Sequence, residues 1–151
     1  MKRELTIGEI TQRLCSYCAQ GEHCEQEVRE KLYQWGCHDT TKQADIITYL
    51  TNEGYLSVSR YCHAYVHDKV AYQGWGQVKI RIMLQAKHLP DNVIEEALRR
   101  ISAEDYKKAL KRAVSKYGTT DRKRTIRFAM QRGFTYEEVV NILKADNTYN
   151  S

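Results

Sequence analysis

Residues 28–37 read VREKLYQWGC, and the same grammar returns at 79–89, KIRIMLQAKHL, and at 125–134, TIRFAMQRGF. Each stretch runs a short amphipathic helix into a breaker followed by an apolar residue. The breakers are Gly36, His88 and Gly133, and the residues after them are Cys37, Leu89 and Phe134. Helices commonly stop where the backbone turns left-handed, with the next apolar residue folding back on the last turn. The helix faces agree as well: Ile80 and Leu84 stand where Val28 and Leu32 stand in the first copy.

Working outward, each stop is followed by a helix with a paired apolar core: Ile46/Ile47/Leu50, Val93/Ile94/Leu98 and Val139/Val140/Leu143. Each is preceded by a longer helix. In the first, Ile7, Ile10, Leu14, Tyr17 and Cys18 fall at helical spacing, and Tyr106, Leu110, Ala113 and Tyr117 do so in the third. The reading is all-α: three tandem three-helix repeats at 1–56, 57–101 and 102–146, with a disordered tail at 147–151. A unit this small buries little alone, so neighbouring copies should stack into an elongated, curved array whose handedness stays open. The competing packing is one globular nine-helix bundle.

Local chemistry supports helices. Capping signals stand at Thr6 with Glu9, Thr40 with Gln43, Ser102 with Asp105 and Thr135 with Glu138. Gly21, Gly36, Gly54, Gly74, Gly118 and Gly133 close segments. A single proline in 151 residues leaves little room for a turn-rich β-fold. No apolar run approaches the roughly 18 residues of a membrane span, and MKRELTIGEI has no apolar signal core, so the expected compartment is the cytoplasm.

The net charge of +5 conceals a gradient. Residues 1–56 carry a net −3, residues 57–101 a net +3 and residues 102–151 a net +5. Such a chain can dock in one orientation on a surface of mixed charge.

CSYCAQGEHC, residues 15–24, invites a zinc reading, with Cys37, His38, Cys62 and His63 further on. Cys15 and Cys18, however, sit inside the first amphipathic helix without a glycine or proline to form a knuckle. Cys18 continues the Ile10/Leu14 stripe, Cys62 lies on a stripe with Val58, Tyr61 and Tyr65, and Cys37 aligns with Leu89 and Phe134. The cysteines therefore read as small buried hydrophobes, with no metal and no cofactor expected. His63 and His67 share a helical face but lack a third ligand at useful spacing. No phosphate-binding P-loop, nucleophile elbow or His-Glu-x-x-His pattern is present, so no catalytic residue is assigned.

Gly74-Trp75-Gly76 falls at the joint between the first and second helices of its repeat. Paired glycines beside Lys79 and Arg81 could cradle phosphate, but such loops normally follow a strand. The elbow reads as a tight helix–helix turn, pinned by the Trp75 ring, with a cationic helix behind it.

Taken in order, these segments resemble the RecX proteins, regulators of the RecA recombinase. In that family a tyrosine-leucine opens the second repeat, and a Gly-x-Gly with basic residues and isoleucine follows. The matching residues are Tyr55, Leu56, Arg60, Tyr61 and Val66, then Gly74, Gly76, Lys79, Ile80, Arg81 and Leu84. EHCEQEVREKL is similar to the first-repeat helix through Glu22, His23, Glu27, Lys31 and Leu32. The likeness covers residues 10–100 and reaches the last repeat by architecture alone. Four departures stand out: Ser57-Val58 replaces an acidic pair, Cys24 a serine, His88 a glycine, and Ile82-Met83 polar residues. Ser57 keeps the capacity to cap a helix, and Ile82 with Met83 either enlarges the core or leaves an apolar contact patch.

The resemblance implies a non-enzymatic inhibitor, expected to be a monomer when free, that lies in the groove of the RecA filament on single-stranded DNA. There it would impede ATP hydrolysis, strand exchange and filament extension, damping recombinational repair and the SOS response. The expected contacts with RecA or DNA are Lys79, Arg81, Lys108, Lys111, Arg112, Arg122, Lys123, Arg124 and Arg127, cations that leave the apolar stripes. The rival reading is a helical protein acting directly on DNA through its basic C-terminal half with weak, sequence-independent affinity. No helix carries the Arg/Asn/Gln cluster expected for base readout.

Overall fold

The computed structural model describes residues 3–117 and 120–149. Among these, the secondary structure is nine α-helices without a strand: α1 (Ile7–Gln20), α2 (Glu25–Gln34), α3 (Thr40–Asn52), α4 (Val58–Ala71), α5 (Gln77–Ala86), α6 (Asp91–Arg99), α7 (Ala103–Ser115), α8 (Arg122–Gln131) and α9 (Tyr136–Tyr149). The all-α expectation holds, and the helix order is consistent with three three-helix repeats. By contact density the chain divides into two units, Met1–Tyr61 and Cys62–Ser151, the division falling inside α4. Helix α9 runs to Tyr149, into the segment expected as a tail; residues 150 and 151, and the expected stop at Gly118, lie outside the described residues.

Most helix starts follow the sequence signals. Thr6 Oγ1 accepts from the Glu9 N–H at 3.1 Å, and Ser102 Oγ from the Asp105 N–H at 3.0 Å. Thr135 and Glu138 form a reciprocal capping box on α9, with bonds of 2.9 and 3.1 Å. Ser57 caps α4 through the Arg60 N–H. The start of α3 corrects the expectation: Asp39, not Thr40, is the N-cap, accepting from the Thr41 and Lys42 N–H groups at 2.8 and 3.2 Å. A carboxylate both bonds the orphan donors and meets the positive helix end, so it outcompetes the adjacent threonine. Gln43, expected to complete that cap, is instead buried and donates to the Cys37 carbonyl at 2.7 Å.

The three aligned stops share one geometry. Gly36 N–H donates to Tyr33 O and Cys37 N–H to Leu32 O; Gly133 and Phe134 repeat the pattern onto Met130 O and Ala129 O. His88 makes the same turn with φ 62, donating to Gln85 O while Leu89 N–H reaches Leu84 O. The histidine therefore keeps the glycine turn rather than reshaping it.

Each unit builds a core from the predicted faces. In the first, Ile10, Leu14 and Cys18 of α1 meet Val28 and Leu32 of α2 and Ile46, Ile47 and Leu50 of α3, with Cys37 and Leu56 closing the ends. In the second, Ile80 and Leu84 are fully buried, as is Ile94 of α6, and α7, α8 and α9 pack on one another through Ala109, Leu110, Ala129 and Val139. Burying one such aliphatic side chain contributes about 1.5–3 kcal/mol. Four cysteines are buried and Cys15 half-buried. Burial pushes the Cys18 thiol up to about 11, so it stays protonated at neutral pH. Among the described residues, no three His, Cys, Asp or Glu side chains are grouped to hold a metal ion, and no helix is long and apolar enough to cross a membrane.

Candidate partner-binding surface

The elbow places a helix N-terminus where an anion could be received, so its backbone donors decide what it does. Gly74, at φ 69, ends the α4 turn, and Gly76 is the N-cap of α5. The Gly76 N–H donates to Arg132 O at 2.8 Å, the Gln77 N–H to the Tyr106 hydroxyl at 3.0 Å, and the Val78 N–H to Gly133 O at 3.0 Å. Three donors that a phosphate would need are thus spent on the end of α8 and on α7. The approach is backbone against backbone: a Cβ on Gly76 would lie 2.4 Å from the Gly133 carbonyl carbon and oxygen, and one on Gly133 would lie 2.5 Å from Lys79 Cβ. The glycines brace a joint between α5 and the α8–α9 turn.

Two expected contact residues, both half-buried, already make contacts within the protein. Lys79 Nζ lies 4.1 Å from the centroid of the Trp75 ring, which Lys69 also approaches at 4.6 Å. The Trp75 ring thus sits at the joint between two cations, one from α4 and one from α5. Arg81 clamps Glu95 of α6 through two guanidinium nitrogens. That contact depresses the Glu95 carboxyl below its ordinary value, chiefly through the hydrogen bond. The first repeat makes the equivalent clip between α2 and α3, where Arg29 donates to Gln43 at 3.1 Å. Counting from Gly133, the corresponding positions in the third repeat are the half-buried Ile126 and Val140. Arg81 is thus a clip between helices that the first repeat shares in polar form and the third replaces with apolar residues. Of the other motif residues, Ile80, Leu84 and Leu56 are core and Tyr55 packs against the first core.

The remaining cations gather on α7 and α8. Lys108 is exposed and pairs with Glu104, one helical turn back, at 3.4 Å. Lys111, Arg122, Lys123 and Arg127 are exposed, with no carboxylate partner among the described residues. Arg112 lies over the end of α4, donating to Val70 O and Ala71 O at 3.3 and 3.0 Å, where it caps the negative end of that helix. Arg122, Lys123 and Arg124 occupy the first turn of α8, the positive end of the helix dipole, with Asp121 as the N-cap acid. Cations there work against the dipole, a local cost that helix stability does not explain.

Two features escaped the sequence reading. The first is a ring pair: Tyr117 and Phe128 meet edge to face at 5.3 Å, with Arg124 over Tyr117 at 4.2 Å and Lys116 and Arg132 over Phe128 at 4.6 and 5.1 Å. Interleaved rings and cations in SKYGTTDRKRTIRF were the available signal. The second is a polar knot in the first unit, where Glu27 receives His23 Nδ1 at 3.1 Å, the Cys24 thiol at 3.2 Å and the Tyr61 hydroxyl. His23 also stacks on Tyr17 at 3.6 Å, and Arg60 joins Glu22 at 2.9 Å. Cys24 thus fills the cap position of a serine by donating to Glu27. Finally, Ile82 and Met83 are 57% and 39% exposed: the substituted pair leaves an apolar patch on α5 rather than a larger core.

A family model described as RecX, second three-helix domain, matches residues 59–98, which lie within α4–α6 and include the elbow and the Arg81–Glu95 clip. A regulatory protein RecX from Clostridium botulinum is 30% identical over 130 residues, 80% of this chain. One from Escherichia coli is 24% identical over 155 residues, covering 93% of both chains. The chain is similar to RecX proteins over most of its length. It spans 60% of the length of its clostridial RecX relatives. The crystal structure of RecX from Lactobacillus salivarius shares the fold, with a TM-score of 0.76 over 92% of this chain and 95% of that one at 18% identity. Within the RecX frame, the elbow and clip belong to the matched second domain, whereas the uncompensated cations of α8 lie outside it.

Proposed function

We propose that this chain is a non-enzymatic regulator of the RecA recombinase, acting in the cytoplasm. It binds the recombinase filament and inhibits ATP hydrolysis, strand exchange and filament extension, so damping recombinational repair and the SOS response. The observation that carries the reading is the similarity to RecX proteins across most of the chain. The cationic face supports it: Lys108, Lys111, Arg122, Lys123 and Arg127 are exposed and available to an acidic partner surface, while Lys79, Arg81 and Arg112 are engaged by Trp75, Glu95 and the end of α4. Charge complementarity of this kind steers association and fixes orientation, and is weakened by salt.

The test is DNA-dependent ATP hydrolysis by the cognate RecA with this protein titrated in. Inhibition well below the concentration that coats the DNA is expected. A fall in hydrolysis only at saturation of bare DNA, or no fall, would sink the reading.

A further inference from the structure

We propose that the strip of stacked rings and cations joining the end of α7 to α8 is a contact site for a single nucleic-acid strand, held through both phosphates and bases. The inference rests on the recombinase reading for the source of the strand, since that filament is assembled on single-stranded DNA. Three observations carry it. First, Arg124, Lys116 and Arg132 have no carboxylate partner among the described residues, and Arg124 stands at the wrong end of a helix dipole. Second, the cations are already ordered on rings: Arg124 on Tyr117 at 4.2 Å and Lys116 on Phe128 at 4.6 Å. A guanidinium held over a ring already has much of its side-chain freedom spent, so an unpaired base can stack against the pair with little further loss. Third, a recess of about 140 Å³ lies beside the stack, lined by Arg112, Lys116, Arg132 and Phe128. The carbonyl of Ala71 at the end of α4 holds Arg112, and that of Gln73, just beyond it, holds Arg132.

This arrangement favours a strand over a duplex, whose base faces are occupied by their own stack. It also favours a strand over an acidic peptide, which would use the charges and gain nothing from the planes. Arg124 and Arg132 are eight positions apart on the α8 side, roughly 12 Å at a helical rise. That length suits a few nucleotides.

The experiment is fluorescence anisotropy of the full chain, without recombinase, with a labelled oligothymidylate, the same strand lacking its bases, and a duplex of equal length. Arg124→Lys keeps the charge and removes the plane; Tyr117→Leu removes the ring and keeps apolar bulk; Lys123→Ala removes a neighbouring charge. The oligothymidylate should bind about ten-fold more tightly than the abasic strand. Arg124→Lys and Tyr117→Leu should erase that preference, whereas Lys123→Ala should weaken both strands alike and lower the salt slope by about 0.7. Equal binding of all three nucleic acids would overturn the proposal. So would an Arg124→Lys protein that binds as the parent does, or polyglutamate that outcompetes the strand at equal charge. Should Tyr117→Leu fail to fold, Arg124→Lys decides alone. Failure here leaves the recombinase reading to its ATPase assay, and failure there leaves this binding measurement standing.

Discussion

His88 holds with an imidazole the left-handed turn that glycine holds at Gly36 and Gly133. For an L-residue this conformation costs about 1–2 kcal/mol, part of which glycine would return through the entropy of the unfolded chain. His88→Gly should therefore stabilise the protein by about 0.5–1 kcal/mol, read as a higher denaturant midpoint at unchanged slope. At Gly76 the sign reverses, because an added Cβ would meet the Gly133 backbone at 2.4 Å and no flexible side chain can yield. Gly76→Ala should cost about 3 kcal/mol or more, checked by the same denaturation; a loss below 1 kcal/mol would show that the joint relaxes freely. The glycine in Gly74-Trp75-Gly76 was legible as a joint. Its partner was not, because Gly133 lies 57 positions away and no local pattern names it.

Between helices, the Glu27 knot shows how a family-like segment acquires a structural role. Burial alone would raise the Glu27 carboxyl, but the hydrogen bonds from His23, Cys24 and Tyr61 together outweigh it and hold the group below its ordinary 4.5. A lowered folded pKa means the carboxylate stabilises the fold fully above the unfolded value. That contribution disappears as pH falls through the folded one. Glu27→Gln should cost about 1–3 kcal/mol at neutral pH. It should also flatten the acid limb of a stability–pH curve below about 4.5, measured by urea denaturation across that range. An acid limb identical to the parent's would place the acid sensitivity elsewhere. The helices and core faces were readable because period and capping are local properties. The Arg81–Glu95 clip was not: period says that Arg81 leaves the buried face, but only packing shows an acid on the next helix. Sequence alone reads such a cation as a contact residue without showing its acid, and it reads the interleaved run of rings and cations from Lys116 to Phe128 only as charge.

Over the whole chain, charge is unequal between the two units. Residues 1–61 carry seven Lys/Arg against nine Asp/Glu, and residues 62–151 carry seventeen against ten. In the first unit Arg3, Arg29 and Arg60 each have a carboxylate, whereas the α8 cations have none among the described residues. Charge left uncompensated is charge available to a partner, and its contribution should be screened at a Debye length of about 8 Å in physiological salt. If the chain restrains the recombinase through this face, Lys123→Glu with Arg127→Glu should raise the concentration for half-inhibition of RecA hydrolysis by about ten-fold. Because both side chains are exposed and have no carboxylate partner among the described residues, the thermal midpoint should stay within the range of ordinary surface changes. Arg81→Ala provides the contrast: it removes a clip and should lower the thermal midpoint more than it lowers inhibition per folded molecule. An α8 reversal that leaves inhibition intact, combined with an Arg81→Ala that abolishes it in fully folded protein, would move the contact surface from the third repeat to α5, where Ile82 and Met83 are already exposed.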